Sequence, residues 1–358
     1  MKNYKKLGGY IEVLNRRNID LKLGLDSVRG ISNTKQITET SKATVDESVI
    51  SKFYVINPGE FVYNPRTTRM GDKVGLAFNN TDKPLLFTFN NLAFRIKDSA
   101  KYKLLPDYLY LFFCRSEFDR YARINSWGSA TELFLFEDLC NIKFAVPDLK
   151  EQKKIVNTYN AITKRIQLKQ KINENLEKTA QTIYKKMFVE YADENWKTIK
   201  LGECIEVKYG KDHKILAEGS IPVYGSGGIM RYAEKALFEK ESVLIPRKGS
   251  LNNILYVDEP FWSVDTMFYT EMKRNNFAKY LYEFIRTKDF LNLDTGSAVP
   301  SMTTEYLNNI EILNPDDLSL EKFESNVSKI YISKKNNLKE ISKLQELKQL
   351  VISRISKI

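Results

Sequence analysis

One stretch of this chain occurs twice, and that duplication constrains its fold more than any other feature. Lys6-Leu7-Gly8-Gly9-Tyr10-Ile11-Glu12-Val13 returns 194 residues later as Lys200-Leu201-Gly202-Glu203-Cys204-Ile205-Glu206-Val207, with Lys, Leu, Gly, Ile, Glu and Val at the same places. Pro65-Arg66 returns as Pro246-Arg247 after 181 residues, and Gly128-Ser129-Ala130 as Gly296-Ser297-Ala298 after 168. The order is kept while the spacing shrinks, so the second copy is the shorter one and its deletions fall in loops, where binding variation resides. Each copy ends in a long segment of helical periodicity.

The two long segments carry matching seams. From about residue 149 to 191 there is neither Pro nor Gly, and the apolar spacing alternates threes and fours. The first seam runs Ile155, Tyr159, Ile162, Ile166, Lys169, Asn173, Leu176, Ala180, Ile183, Met187. The second runs Leu320, Phe323, Val327, Ile330, Lys334, Asn337, Ile341, Leu344, Lys348, Val351, Ile355, Ile358. Antiparallel pairing with Ile155 opposite Ile355 and Met187 opposite Phe323 places Asn173 against Asn337. A buried amide pair costs stability but penalises slippage, because any shift sets polar groups against Ile or Leu. Some 36 residues make a rod of about 54 Å, enough to serve major-groove faces about 34 Å apart. The first segment also holds ten Lys or Arg against four acids between Lys150 and Tyr191, a solvated face or one turned to DNA or to an acidic partner subunit.

The globular parts read as mixed α and β. In the first, 53–63 is strand, turn, strand, 85–89 and 92–96 continue the sheet, and Pro106 opens a helix where its missing N–H does no harm. In the second, 242–246, 254–257 and 267–270 are strand-like, and 280–286 matches the first-half helix. Asp148, three residues before Glu151, is placed to cap the first long helix.

With 42% hydrophobic residues, 358 residues can bury two cores of ordinary size. The net charge of +11 favours an anionic partner. No signal-peptide core and no apolar span of membrane length occur, so a cytoplasmic location is expected. Cys114, Cys140 and Cys204 are scattered in apolar surroundings and read as reduced core residues. The one histidine, His213, leaves no two-His metal site and, alone in a loop, reads as polar filler rather than a catalytic base, and no phosphate-binding Gly-x4-Gly-Lys-Ser/Thr loop is present.

What remains are loops suited to DNA. Arg66, Thr67, Thr68 and Arg69, and their counterparts Arg247, Lys248 and Ser250, follow equivalent strands; Arg forks match guanine or phosphate, and small hydroxyl residues let the backbone approach phosphates. Trp127, Ser129 and Ser297 lie in the second recurring loop. Lys208, Tyr209, Lys211, Tyr224, Ser226 and Gly227 add aromatic and glycine surface in the second copy, and Arg16, Arg17, Arg29 and Lys35 occupy comparable ground in the first.

Gly128-Ser129-Ala130, Phe136-Glu137-Asp138-Leu139, Ile142, Val146-Pro147, Leu149, Glu151-Gln152 and Ile155-Val156 together resemble the segment that ends a target recognition domain in specificity subunits of type I restriction-modification systems. Leu201-Gly202-Glu203 and Ile221-Pro222-Val223-Tyr224-Gly225-Ser226-Gly227-Gly228 resemble the same family. The chain departs from it at 314–323, where a Pro-rich, Glu-Gln-bearing helix start is replaced.

The resemblance implies an α+β architecture with a pseudo-two-fold internal repeat. Recognition domains at 1–146 and 192–316 would be joined by helices at 147–191 and 317–358 forming an antiparallel coiled coil. The helix-pairing residues would be Ile155, Ile162, Ile166, Asn173, Leu176 and Ile183 with Phe323, Val327, Ile330, Asn337, Ile341, Leu344, Val351 and Ile355. It implies a non-catalytic subunit that binds double-stranded DNA at an asymmetric bipartite site, the helices setting the gap. Its partners would be two adenine-methyltransferase subunits and motor-nuclease subunits, with S-adenosylmethionine, ATP and Mg acting on those partners and no cofactor on this chain. The alternatives are a recognition module of another restriction-methylation system, an enzyme acting on nucleic acid by itself, and a structural coiled-coil adaptor.

Overall fold

A computed structural model describes residues 4–40, 47–66, 73–101, 103–128, 132–290 and 302–355. By contact the chain divides into two compact units, Met1–Leu168 with Glu340–Ile358, and Lys169–Lys339. Each unit thus takes a part of both long helices into its own body.

In the first unit a four-stranded antiparallel sheet has the order Ile11–Leu14, Leu92–Ile96, Phe61–Tyr63, Leu76–Phe78. Strand Tyr4–Lys6 leaves it to pair with Lys143–Ala145. The expected strands at 54–63 form, with Gly59 at φ +84° between them, but they do not pair with each other. Tyr54–Ile56 instead joins Leu85–Phe87 in a separate ladder, so the sheet inferred as continuous is two. The core is aromatic: Phe61 stacks on Phe94 at 4.9 Å, and Phe112, Phe113, Phe118, Phe134 and Phe144 fill the space beneath helix Pro106–Phe113. Buried Phe rings at this density favour edge-to-face and offset contacts over identical stacking.

The second unit repeats the plan. Its sheet runs Ile205–Tyr209, Met267–Met272, Ser242–Pro246, Leu255–Val257. Thr198–Lys200 pairs with Glu311–Leu313 as Tyr4–Lys6 does with Lys143–Ala145. Among the described residues, the hairpin of Glu218–Gly225 and Gly228–Ala233 has no counterpart of the same size in the first unit.

The long helices are Leu149–Lys185, extended by a π-helical turn over Lys186–Glu190, and Asp317–Ser353. They run antiparallel as a coiled coil. In the first unit Val156 shares a core with Ile355, and Ile162 and Ile166 cluster with Ile341, Leu344 and Val351; Arg165 closes the flank on Glu340. In the second, Asn337 Nδ2 donates to Asn173 Oδ1 at 2.8 Å, and Lys169 Nζ donates to Asn337 Oδ1 at 2.8 Å. Towards 188 the seam departs from the reading above. Tyr184 and Phe188 are buried where Ile183 and Met187 were expected, leaving Ile183 and Leu176 half-buried. A straight helix drifts from a seven-residue repeat, and here the drift turns its face to Tyr280 and Phe323 (4.6 and 5.2 Å from the Phe188 ring). Tyr331 is likewise buried where Ile330 was expected, leaving Ile330 half-buried.

Candidate nucleic-acid interface

Strand ends decide what the first unit can present. Beyond Phe61–Tyr63 the chain passes through Pro65, whose carbonyl accepts the Phe134 N–H at 2.8 Å, and Arg66 sits opposite Leu133. Leu133 is also opposite Trp127, with N–H to carbonyl bonds both ways at 3.1 and 3.0 Å. The two recurring loops therefore meet at one place. Trp127 is 68% exposed there. Arg120 and Arg123 lie on helix Ser116–Ile124, which leads into this loop. The sequence reading passed over both, although cations three apart at the end of a helix were a visible signal.

The remaining first-copy cations are engaged elsewhere. Arg16 grips buried Glu60 with both nitrogens, at 2.8 and 3.0 Å. Lys35, 4% exposed and in the left-handed backbone region at φ +62°, donates to Asp119 at 2.6 Å. The Lys35 pair is buried, so little of its charge is left for phosphate, whereas Arg16 pairs with Glu60 while 36% of its side chain stays exposed. Arg17 lies 3.4 Å over the Tyr54 ring and donates to the Lys52 carbonyl. Arg29 donates to the carbonyls of Asp26 and Val28. Thr67, Thr68, Arg69, Ser129 and Ser297 lie outside the described residues.

In the second unit the Pro-Arg loop is pinned one residue further on, the Arg247 carbonyl rather than that of Pro246 accepting the Met302 N–H at 2.9 Å. The Arg247 guanidinium donates to the Asp265 carbonyl and sits 5.5 Å from the Tyr209 ring, which is 52% exposed. Ser226 is drawn in by Asn253, whose amide donates to its carbonyl at 2.7 Å. Gly249 lies so close that an added Cβ would stand 2.8 Å from Ser226 Oγ, and its φ of +86° suits glycine. Lys211, Gly227, Lys248 and Ser250 are exposed around this centre. Lys208 pairs with Glu271 and Glu206, and its hydrogen bond to Glu271 raises its pKa. Burial pushes the Tyr224 phenol up, so it stays protonated as a half-buried wall.

Among the described residues no three His, Cys, Asp or Glu side chains gather where they could hold a metal ion, and no helix is long and apolar enough to cross a membrane. Two copies of one frame, each fastening an arginine loop beside an exposed aromatic ring, make this a duplicated recognition protein. The chain belongs to the type I restriction modification DNA specificity domain family, whose sequence model matches residues 3–178 and again 193–349. It is 23% identical over 296 residues to the type I restriction enzyme MjaIX specificity subunit of Methanocaldococcus jannaschii, covering 70% of this chain and 68% of that one. Over 90 residues it is 27% identical to the HindI specificity subunit of Haemophilus influenzae, 25% of this chain and 20% of the relative. The fold is similar to the crystal structure of the type I restriction-modification S subunit from M. genitalium, with a TM-score of 0.61, 17% identity, and 98% and 94% of the two chains covered.

Proposed function

We propose that this chain is the non-catalytic subunit that gives a type I restriction-modification complex its DNA sequence specificity, each unit reading one half of an asymmetric bipartite site. The observation that carries this reading is the recurrence, in both units, of a Pro-Arg loop pinned against the segment that precedes the last short helix. The frame is common while the side chains on it differ, and base identity is read by side chains at groove edges. The paired helices set the gap between half-sites and dock two adenine-methyltransferase subunits. Motor-nuclease subunits complete the complex in the cytoplasm. S-adenosylmethionine, ATP and Mg serve those partners.

Exchange of residues 1–146 for another recognition domain tests it. Mapping methylated adenines in cells with the partner subunits will show one half of the target changed and the other intact; change in both halves defeats independent reading. Insertion of whole heptads into the first long helix will alter the gap, and an unaltered gap removes the ruler. Methylation or cleavage by the purified chain alone favours an enzyme, and a mere adaptor shows no salt-dependent duplex binding.

A further inference from the structure

Trp127 stands apart from the other tryptophans. Trp196 and Trp262 are covered to different degrees, and their indole N–H groups donate to Asp316 and to the Lys211 carbonyl. Trp127 leaves 68% of its surface in water, with Ile124 at 75% and Leu135 at 44% nearby in the chain. Among the described residues its indole N–H meets no acceptor.

Its backbone is nevertheless held firmly. The reciprocal bonds with Leu133, and the bridge from Leu133 to Arg66, set Trp127, Leu133 and Arg66 directly across from one another on three adjacent strands. Residues opposite each other in antiparallel pairs project to the same face. The indole and the Arg66 guanidinium therefore rise from one face, two strand spacings or about 10 Å apart. The second unit reaches a related pairing from a different strand, with Arg247 beside the exposed ring of Tyr209.

Resting on the DNA-binding reading above, we propose that Trp127 enters the base stack of the half-site read by the first unit, as a wedge between two base pairs, while Arg66 holds a neighbouring phosphate. Apolar side chains inserted at a base step unstack it and bend the duplex, and the lost stacking is offset by the contacts the bend brings. Arg66, across Leu133 from the indole, and Arg120, on the helix that leads into this loop, favour a polyanion over a protein partner as its cover.

The experiment uses the full chain assembled with its methyltransferase subunits and the target duplex, with 2-aminopurine placed at successive positions of the half-site. The wild-type complex will brighten the probe at one step, and Trp127→Ala will abolish that signal. Trp127→Ala will also weaken binding to the intact duplex by about 5- to 150-fold, the range for losing one stacked base. Most of that loss disappears on a duplex made abasic at the same step, and Trp127→Phe keeps part of the signal. Probe signals equal in wild type and Trp127→Ala, or a silent probe under tight wild-type binding, overturn the wedge and leave the DNA-binding reading standing. Failure of a folded Trp127→Ala chain to assemble with the methyltransferase subunits makes Trp127 a protein anchor and also overturns it. A wild-type complex without sequence-selective binding takes both readings down.

Discussion

At residue 152 the first unit buries a glutamine; 168 positions on, the second buries Leu320. Gln152 accepts from the Leu105 N–H at 2.8 Å and donates to the carbonyls of Lys103 and Pro147 at 2.7 and 2.8 Å, tying the long helix to the start of helix Pro106–Phe113. Leucine can do none of this. In the second unit Arg274 takes over, donating to Asn314 Oδ1, to the Pro315 carbonyl at 3.0 Å and to Asp317 at 2.5 Å. The segment 314–317 is held by a residue from another loop. The two units keep the joint and change the fastener, which shows that the joint is what the fold requires.

The joints differ in packing too. Tyr184, Phe188, Tyr280 and Phe323 form an aromatic pile in the second unit, whereas Val156 and Ile355 serve the first. Phe188→Ala is expected to cost about 3–5 kcal/mol. Val156→Ala, which removes two methyl groups, is expected to cost about 1–2 kcal/mol. Urea unfolding of the two variants measures the gap, and equal losses would mean that the pile is no stronger than the aliphatic contact.

Exchanging the fasteners comes next in size. Gln152→Leu writes the second unit's residue into the first and leaves the Leu105 N–H and two carbonyls unmatched, at about 2–4 kcal/mol. Arg274→Ala removes charge-assisted bonds from a partly buried site and is expected to cost about 1.5–3 kcal/mol. If Gln152→Leu proves neutral in the same measurement, the glutamine is dispensable and the comparison loses its first half.

These contrasts also mark what the sequence could disclose. The duplication, the antiparallel helices and the Asn173–Asn337 pair were legible because repeats and heptads are periodic signals. Lys35 and Arg16 were not, because their balancing carboxylates, Asp119 and Glu60, lie 84 and 44 residues away and only the fold brings them near. The shift from Ile183 to Tyr184 was hidden for a related reason: a seam shows its period, while the body it packs against decides its final angle. Arg66 and Trp127 were both singled out, yet their common row on either side of Leu133 depends on pairing between distant segments.

A third contrast separates the units by pH. Tyr108-Leu109-Tyr110-Leu111-Phe112-Phe113 answers to Tyr280-Leu281-Tyr282-Glu283-Phe284-Ile285, so a buried carboxyl replaces a buried leucine. Burial raises the Glu283 pKa, against the opposing pull of the Tyr331 hydroxyl at 2.7 Å and of Arg286 and Lys334, with Glu177 adding to the rise. A folded-state value above the ordinary 4.5 means the native state holds the proton more tightly. Its stabilising contribution is complete below the unfolded pKa and is lost as pH rises through the folded one. Glu283→Gln should therefore flatten that part of the stability profile of the second unit. An unchanged slope in urea midpoints across the acid range would show that Glu283 is already ionised.

The smallest expected difference lies in the caps. Asp148 accepts from the Glu151 N–H at 2.8 Å, and Asp316, again 168 positions on, accepts from the Ser319 N–H at 2.8 Å. Asp316 also receives the Trp196 indole N–H at 3.1 Å. Its carboxyl pKa is lowered, chiefly by the Ser319 backbone N–H. The sign is thus opposite to that of Glu283: its contribution is present above the unfolded value of 3.8 and is lost as pH falls through the folded one. Asp148→Ala is expected to cost about 1 kcal/mol, as lost caps do, and Asp316→Ala slightly more because Trp196 loses an acceptor. Pairing Asp316→Ala with Trp196→Phe separates the two contributions. If the double variant costs no less than the sum of the singles, the indole bond adds nothing, and the two helix starts are equivalent in strength as well as in position.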